Sequence, residues 1–442
     1  MRYPYGKVLR AVWKYLCAYF KIVLKWLVLA GVIGGLSGVI GALFHHGVDV
    51  ATALRGEYPW LLWCMPLAGL VIVGIYKVTR TEGMGTNDVF DAIRDGRPLF
   101  IGLLPAIFFS TVLTHLSGGS AGREGAALQM GGTLGYNTGR LFRLDDRDLR
   151  TAVMAGMAAF FTALFGTPVT AAVFSVAIVT VGQIHHAALI PCLTAALTAY
   201  QVAHLMDVSP TRFTVAVPHV TPALMISTAI LAALCAVLSV AFCHTIHFMG
   251  HWFSKRIPNP WLRIAAGGGI VAAVSLLLGT ADYNGAGMNI IADAVERGSA
   301  RPEAFILKLL FTAVTLGVGY KGGEVVPSFF VGATFGCVVG PLVGIPSGFA
   351  AAVGMVSVFC GAANCPLASI FLAVELFGDE GLLCYALACA ISYALSGYSS
   401  LYSSQHILYS KLKDTFEEPD PAPHDVEADA ESGLLQEAGK EA

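Results

Sequence analysis

Two glutamates, Glu124 and Glu324, lie 200 positions apart in matching settings. The segments read Gly122-Arg-Glu-Gly-Ala-Ala-Leu-Gln-Met-Gly-Gly132 and Gly322-Gly-Glu-Val-Val-Pro-Ser-Phe-Phe-Val-Gly332. Glycine lets the chain turn sharply, and the free N–H groups of a helix start, aided by the helix dipole, hold an anion without a fixed positive charge. Glu124, when ionised, competes with a mobile anion for those donors and leaves them when protonated. Proton binding is thereby converted into an opening for the anion, which is exchange chemistry. Carboxylates inside a membrane are costly and default to a functional reading. The structural alternative for Glu124 is an ion pair with Arg123 at an embedded turn. For Glu324 the expected use is structural, with side-chain hydrogen bonds bracing a broken helix and its backbone N–H facing the anion.

The elements that must position these groups recur with them. Glu82–Ile93 is echoed by Asn284–Val295, which pairs Gly83 with Gly285, Gly85 with Gly287, Asn87 with Asn289 and Asp91 with Asp293. Gly156, Phe161 and Pro168 recur as Gly354, Phe359 and Pro366. In a membrane chain, matched Gly/Pro-broken segments in two halves mark a transporter whose site lies at the repeat interface. An inverted repeat places the two helix starts face to face near the midplane, with a negative ligand in common.

Hydrophobic residues make up 56% of the 442 and charged residues 13%, with mean hydropathy +0.68, so water is not the solvent for most of the chain. Apolar runs are read at Trp26–Phe44, Trp60–Val78, Leu99–Leu116, Thr151–Val181, Leu224–Phe242, Ile264–Leu278, Phe305–Val318, Ala350–Leu376 and Leu382–Leu395. Gly125–Gly135 and Val325–Val343 are expected not to span alone. Such broken segments are tolerated only against protein or an aqueous cavity. The expected organisation is a basic cytoplasmic segment at 1–25, a first half at 26–210, a second half at 211–413 and a disordered acidic tail at 414–442.

Other chemistries find little support. The net charge of −2 is a basic body offset by an acidic tail, and nothing points to nucleic acid. The ten cysteines form no CxxC or Cys/His spacing, so apolar packing is expected, and no metal or cofactor is implied. His45-His46 and His185-His186 end apolar runs. Adjacent histidines diverge by about 100° on a helix, which favours an interfacial place over a metal site. An intramembrane enzyme using Glu124 as acid or base lacks partners, for neither HExxH nor GxSxG occurs and no aspartate pair sits at a plausible site.

Over about its first 410 residues the chain resembles the CLC family of chloride channels and anion/proton antiporters. Gly122-Arg-Glu-Gly125, followed by Gln129-Met-Gly-Gly132, is similar to the GREGP signature, with Ala126 in place of proline. Gly323-Glu-Val-Val-Pro327 resembles GxFxP, with Val325 where phenylalanine is common, and Leu401-Tyr402-Ser403 resembles the segment of the central-site tyrosine. The serine of the chloride-handling GSGIP is replaced by Met84 in Gly83-Met-Gly-Thr-Asn87, and Ile178 stands where chloride antiporters keep an internal proton-transfer glutamate. These departures, with the GGEV segment, resemble the fluoride/proton antiporter branch. Of the phenylalanine pair expected there, Phe90 fits the spacing from Met84 and Asn87 takes the other place; Val326 stands where the branch often has threonine.

The resemblance implies an all-α integral membrane protein, a CLC-like inverted-repeat bundle with broken helices and two halves per subunit. It implies Glu124 as the gating and proton-coupling residue, with Met84, Gly85, Asn87, Phe90, Arg123, Gly125, Glu324, Val325, Val326 and Tyr402 at the anion. It further implies fluoride and protons as the ions moved, a homodimer, and a bacterial inner (plasma) membrane. A chloride-selective exchanger and a passive anion channel are the rivals within transport. Fluoride is small and strongly hydrated, so its site must supply closely approaching donors; glycine-exposed N–H groups, the Phe90 ring edge and the Asn87 amide are the candidates.

Overall fold

The computed structural model describes residues 5–408 and Lys411. The acidic tail and residues 1–4 lie outside the described residues. The first half comprises α1 (Tyr5–Glu57), α2 (Met65–Val78), α3 (Thr86–Asp95), α4 (Leu103–Ser117), α5 (Glu124–Leu141), α6 (Asp146–Phe165), α7 (Pro168–Ala177) and α8 (Leu189–Leu205). The second comprises α9 (Pro222–Arg256), α10 (Pro260–Leu278), α11 (Met288–Glu296), α12 (Ala304–Gly317), α13 (Val325–Val339), α14 (Ser347–Ala363), α15 (Pro366–Phe377) and α16 (Leu382–Leu395). The expected division between residues 210 and 211 falls in the connection between α8 and α9. Two short parallel strands, β1 (Thr180–Val181) and β2 (His406–Ile407), tie the C-terminal strap to the first half. The fold is an all-helical membrane bundle, with seven helices among the described residues long and apolar enough to cross a bilayer.

The repeated segments occupy equivalent elements. Gly85 and Gly287 cap the starts of α3 and α11, and Glu124 and Glu324 stand at the starts of α5 and α13. The long runs Thr151–Val181 and Ala350–Leu376 are each two helices. In the first, Gly166 at φ +71° ends α6 and Pro168 opens α7; in the second, Asn364 at φ +58° ends α14 and Pro366 opens α15. A left-handed residue followed two positions later by proline stops one helix and starts the next without a long loop.

Helix pairs α5/α6 and α13/α14 cross at glycines, because apolar attraction does not distinguish lipid from protein and close backbone packing must hold the bundle. A Cβ at Gly156 would strike the Gly131 carbonyl, and one at Gly354 would strike the Gly332 carbonyl. The same crossing thus occurs once in each half.

Helix α1 runs through the basic segment into the first span, and Lys25 pairs with Asp148 at the start of α6. One boundary differs from the sequence reading. Val325–Val343 is long and apolar enough to cross once a 3-10 turn is added to α13. Most of it is nevertheless sheathed by protein. His45 pairs with Asp49 at 3.0 Å, and His46 Nε2 donates to the Met206 carbonyl. Eight cysteines are buried, while Cys17 and Cys64 are half-buried.

Candidate functional site

The starts of α5 and α13 meet back to back. The Gly122 N–H donates to the Gly323 carbonyl and the Gly323 N–H to the Gly122 carbonyl, both at 2.7 Å, forming an antiparallel bridge between the two halves. From this junction α5 leads toward the face that carries Lys25 and Asp148. In contrast, α13 leads to Gly344, which lies beside Ser227 near the start of α9. Two positive helix ends therefore converge at one point inside the protein. Only glycine fits there: a Cβ at Gly125 would lie 2.9 Å from Gly323 Cα, and one at Gly323 would lie 3.0 Å from the Glu124 nitrogen.

Glu124 is fully buried and folds its carboxylate back on the junction. Its Oε2 accepts the Arg123 N–H at 2.9 Å and lies against the Gly122 Cα, where Val326 and Pro327 also approach; its Oε1 has no hydrogen-bond partner. Arg123 is not a close mate for it. The guanidinium donates to Asp49 of α1 at 3.2 Å and stays 4.0 Å from Oε1. The ion-pair alternative is thus the weaker of two contacts. Glu324 Oε2 lies 3.4 Å from where a Cβ of Gly125 would be, so each glutamate leans on the helix start of the other half. Val325 and Val326 are buried in the first turn of α13.

An aromatic pair joins α3 to the C-terminal strap. Phe90 of α3 meets Tyr402 edge-on, with centroids 4.9 Å apart and planes at 72°, and the buried Tyr402 hydroxyl has no partner. Met84 is half-buried before α3. The Gly85 N–H is taken by the Asp88 carboxylate at 2.8 Å, so the donors α3 can offer an anion are those of its first turn proper. The Asn87 amide gives one N–H to Ser403 Oγ and accepts the Ser404 N–H. Gln129, which follows the Gly122–Gly125 segment in α5, donates to Thr86 Oγ1 at 3.1 Å and joins α5 to α3. Ser120 is occupied by Thr312 and Thr315, and Lys321 lies 4.3 Å from the Tyr76 ring centre.

The second copy of the glycine loop is filled. Nothing lies within 4 Å of a Cβ at Gly83 or Gly85, whereas Arg55 covers Gly285, and Phe330 and Lys308 cover Gly287. The fully buried Lys308 Nζ donates to the carbonyls of Gly285 at 2.6 Å and Tyr283 at 3.2 Å. The repeat is symmetric in backbone, but only its first-half loop faces open space. Lys308→Met strands both carbonyls and is expected to cost roughly 2 kcal/mol or more. Unfolding of the purified protein in detergent checks this, and an unchanged midpoint would contradict it.

Broken helices, inverted halves and a carboxylate at their junction define a membrane transport protein that moves anions. A family model described as "Voltage gated chloride channel" matches residues 68–397, and the chain belongs to this family, the CLC family, whose members are transporters and not enzymes. The chain is 37% identical over 398 residues to the "Chloride/fluoride channel protein" of Pseudomonas syringae pv. tomato, covering 88% of this chain and 87% of that one. It is 26% identical to the "H(+)/Cl(-) exchange transporter ClcA" of Vibrio cholerae serotype O1, covering 88% and 90%. Among solved structures, a CLC-type fluoride/proton antiporter superposes with TM-score 0.85 at 30% identity, covering 88% of this chain and 99% of that one. A slow cyanobacterial Cl−/H+ antiporter superposes at 0.71 with 21% identity, covering 84% and 94%, which supports the fold.

Proposed function

We propose that the protein is a fluoride/proton antiporter that exports cytoplasmic fluoride on the inward proton gradient, gated by Glu124 alone. The observation that carries the reading is the Glu124 carboxylate on the glycine bridge, one oxygen on a backbone N–H and the other unpartnered. The similarity to a named chloride/fluoride channel and to a fluoride/proton antiporter structure supports fluoride as the ion. The donors this reading assigns to the anion are compact: N–H groups of helix first turns, the Phe90 ring edge and the Tyr402 hydroxyl, which is buried without a partner. Such groups approach a small hard anion closely and replace its water.

In this mechanism Glu124, ionised, holds the anion position at the start of α5. Protonated from outside, it releases the Arg123 N–H and swings toward Phe90 and Tyr402, and fluoride takes its place. The proton is then given up inward as fluoride leaves outward. Ile178, with its carbonyl bonded to Gln405, supplies no second carboxylate, so one group serves both sides. The protein acts as a homodimer in a bacterial inner (plasma) membrane, with the basic ends of α1, α5 and α9 on the cytoplasmic side.

The test is uphill transport. In liposomes holding equal fluoride on both sides, an imposed pH difference is expected to drive net fluoride movement. If fluoride only follows its own gradient, the protein is a passive channel.

A further inference from the structure

We infer that Asn87 and Arg94 are positioning residues that hold the Tyr402 phenol at the ion path, and that anion discrimination depends on them through Tyr402. The inference rests on the proposed function and extends it to residues that do not touch the ion.

Asn87, Phe90 and Arg94 follow one stripe of α3, three and four positions apart, and so face the same neighbour. That neighbour is the strap of residues 399–407. Asn87 Nδ2 donates to Ser403 Oγ at 2.7 Å, and its Oδ1 accepts the Ser404 N–H at 3.2 Å. Arg94 Nη1 donates to the Ser404 carbonyl at 2.9 Å. The Arg94 guanidinium is itself aimed by Asp91 and Asp95. Between the two polar clamps, Phe90 meets Tyr402 edge-on.

The rest of the strap is fixed as firmly. Buried Gln405 donates to the carbonyls of Ile178 at 2.6 Å and Ala363 at 3.0 Å, and accepts from Asn364 and Ser400. Ser400 Oγ in turn accepts the Tyr402 N–H at 3.1 Å. Yet the Tyr402 hydroxyl, which is buried, bonds to nothing. Its position is therefore set by the strap and not by its own polar end. The Asn87 amide spends one of its two N–H donors and its oxygen on Ser403 and Ser404, so the strap and the amide fix each other's orientation.

The experiment is a double-mutant cycle on the full-length protein in liposomes, read as the fluoride/chloride rate ratio. This ratio is insensitive to the fraction of protein that is active, so a merely structural defect would not move it. Asn87→Ala is expected to lower the ratio about tenfold in the wild-type background and by less than about twofold in a Tyr402→Ala background, the non-additivity of groups that act as a unit. Ser403→Ala, which removes one partner of the same amide, is expected to reproduce part of the effect, and it carries the cycle if Asn87→Ala does not fold. An equal fall in both backgrounds would mean that Asn87 contacts the anion itself and would overturn the inference. So would an unchanged ratio in the wild-type background. If wild-type protein carries chloride as fast as fluoride, the fluoride reading fails separately, and the cycle is then read on the KM for chloride.

Discussion

Replacing Glu124 by glutamine is expected to abolish fluoride-driven proton movement. Glutamine keeps the shape and can still accept the Arg123 N–H, but it cannot carry a proton between the two sides of the membrane. Coupled proton flux should fall by about a hundredfold or more, the scale on which a positioned proton-transfer group matters. Any residual fluoride movement should run only down its own gradient. Neither Glu324 nor position 178 is expected to compensate. Glu324 leans on Gly125 from the opposite helix start, and Ile178 has no ionisable group. Parallel pH and fluoride recordings on liposomes decide the matter; sustained proton transport by Glu124→Gln would remove the single-carboxylate mechanism.

The second large effect falls on a residue with no side chain. In Gly323→Ala the new methyl would be driven onto the Gly125 nitrogen and lie 3.0 Å from the Glu124 nitrogen. Its neighbours are backbone atoms, which cannot rotate away. The start of α5 must shift, and with it the donors aimed at the anion; a displacement near 1 Å costs about a hundredfold in a reaction that depends on positioning. The stability loss should be smaller, about 1–3 kcal/mol, as for other overpacked sites. Gly35→Ala is the matched control. Nothing lies within 4 Å of its Cβ position, and it sits in the middle of α1, so flux should be unchanged and stability equal or higher by up to about 1 kcal/mol. Initial fluoride efflux rates compare the two. Wild-type flux from Gly323→Ala would mean that the bridge is not required for transport.

Both effects were foreshadowed by features readable along the chain. Glu124 and Glu324 declare helix starts because glycine precedes them and an apolar run follows, and their near-constant spacing with the other repeated segments announces two halves. The breaks at Gly166/Pro168 and Asn364/Pro366 were harder to read, because hydropathy runs through them and only turn chemistry marks them. Nothing along the chain marks an end of α1 before Trp26: the spaced lysines there resemble a flank, yet lysine is a good helix former and the helix runs through them.

What escaped the sequence was contact across long separations. Asn87 is 316 positions from Ser403 and Arg94 is 310 from Ser404, and nothing local in α3 says that its polar stripe faces a strap and not the ion. Gln405 is equally silent as a residue, although it ties Ile178 to the far end of α14. The asymmetry of the glycine loops was hidden too. Gly83 and Gly285 match in sequence, and it is Arg55, Phe330 and Lys308, contributed by other elements, that fill one loop and leave the other open.

In the proposed exchange this junction selects fluoride and moves it against protons. Its most direct test loads liposomes with either fluoride or chloride and records efflux with ion-selective electrodes alongside external pH. Fast fluoride release accompanied by proton uptake, with little release of chloride, is expected. Comparable chloride release, or fluoride release without proton movement, would contradict it.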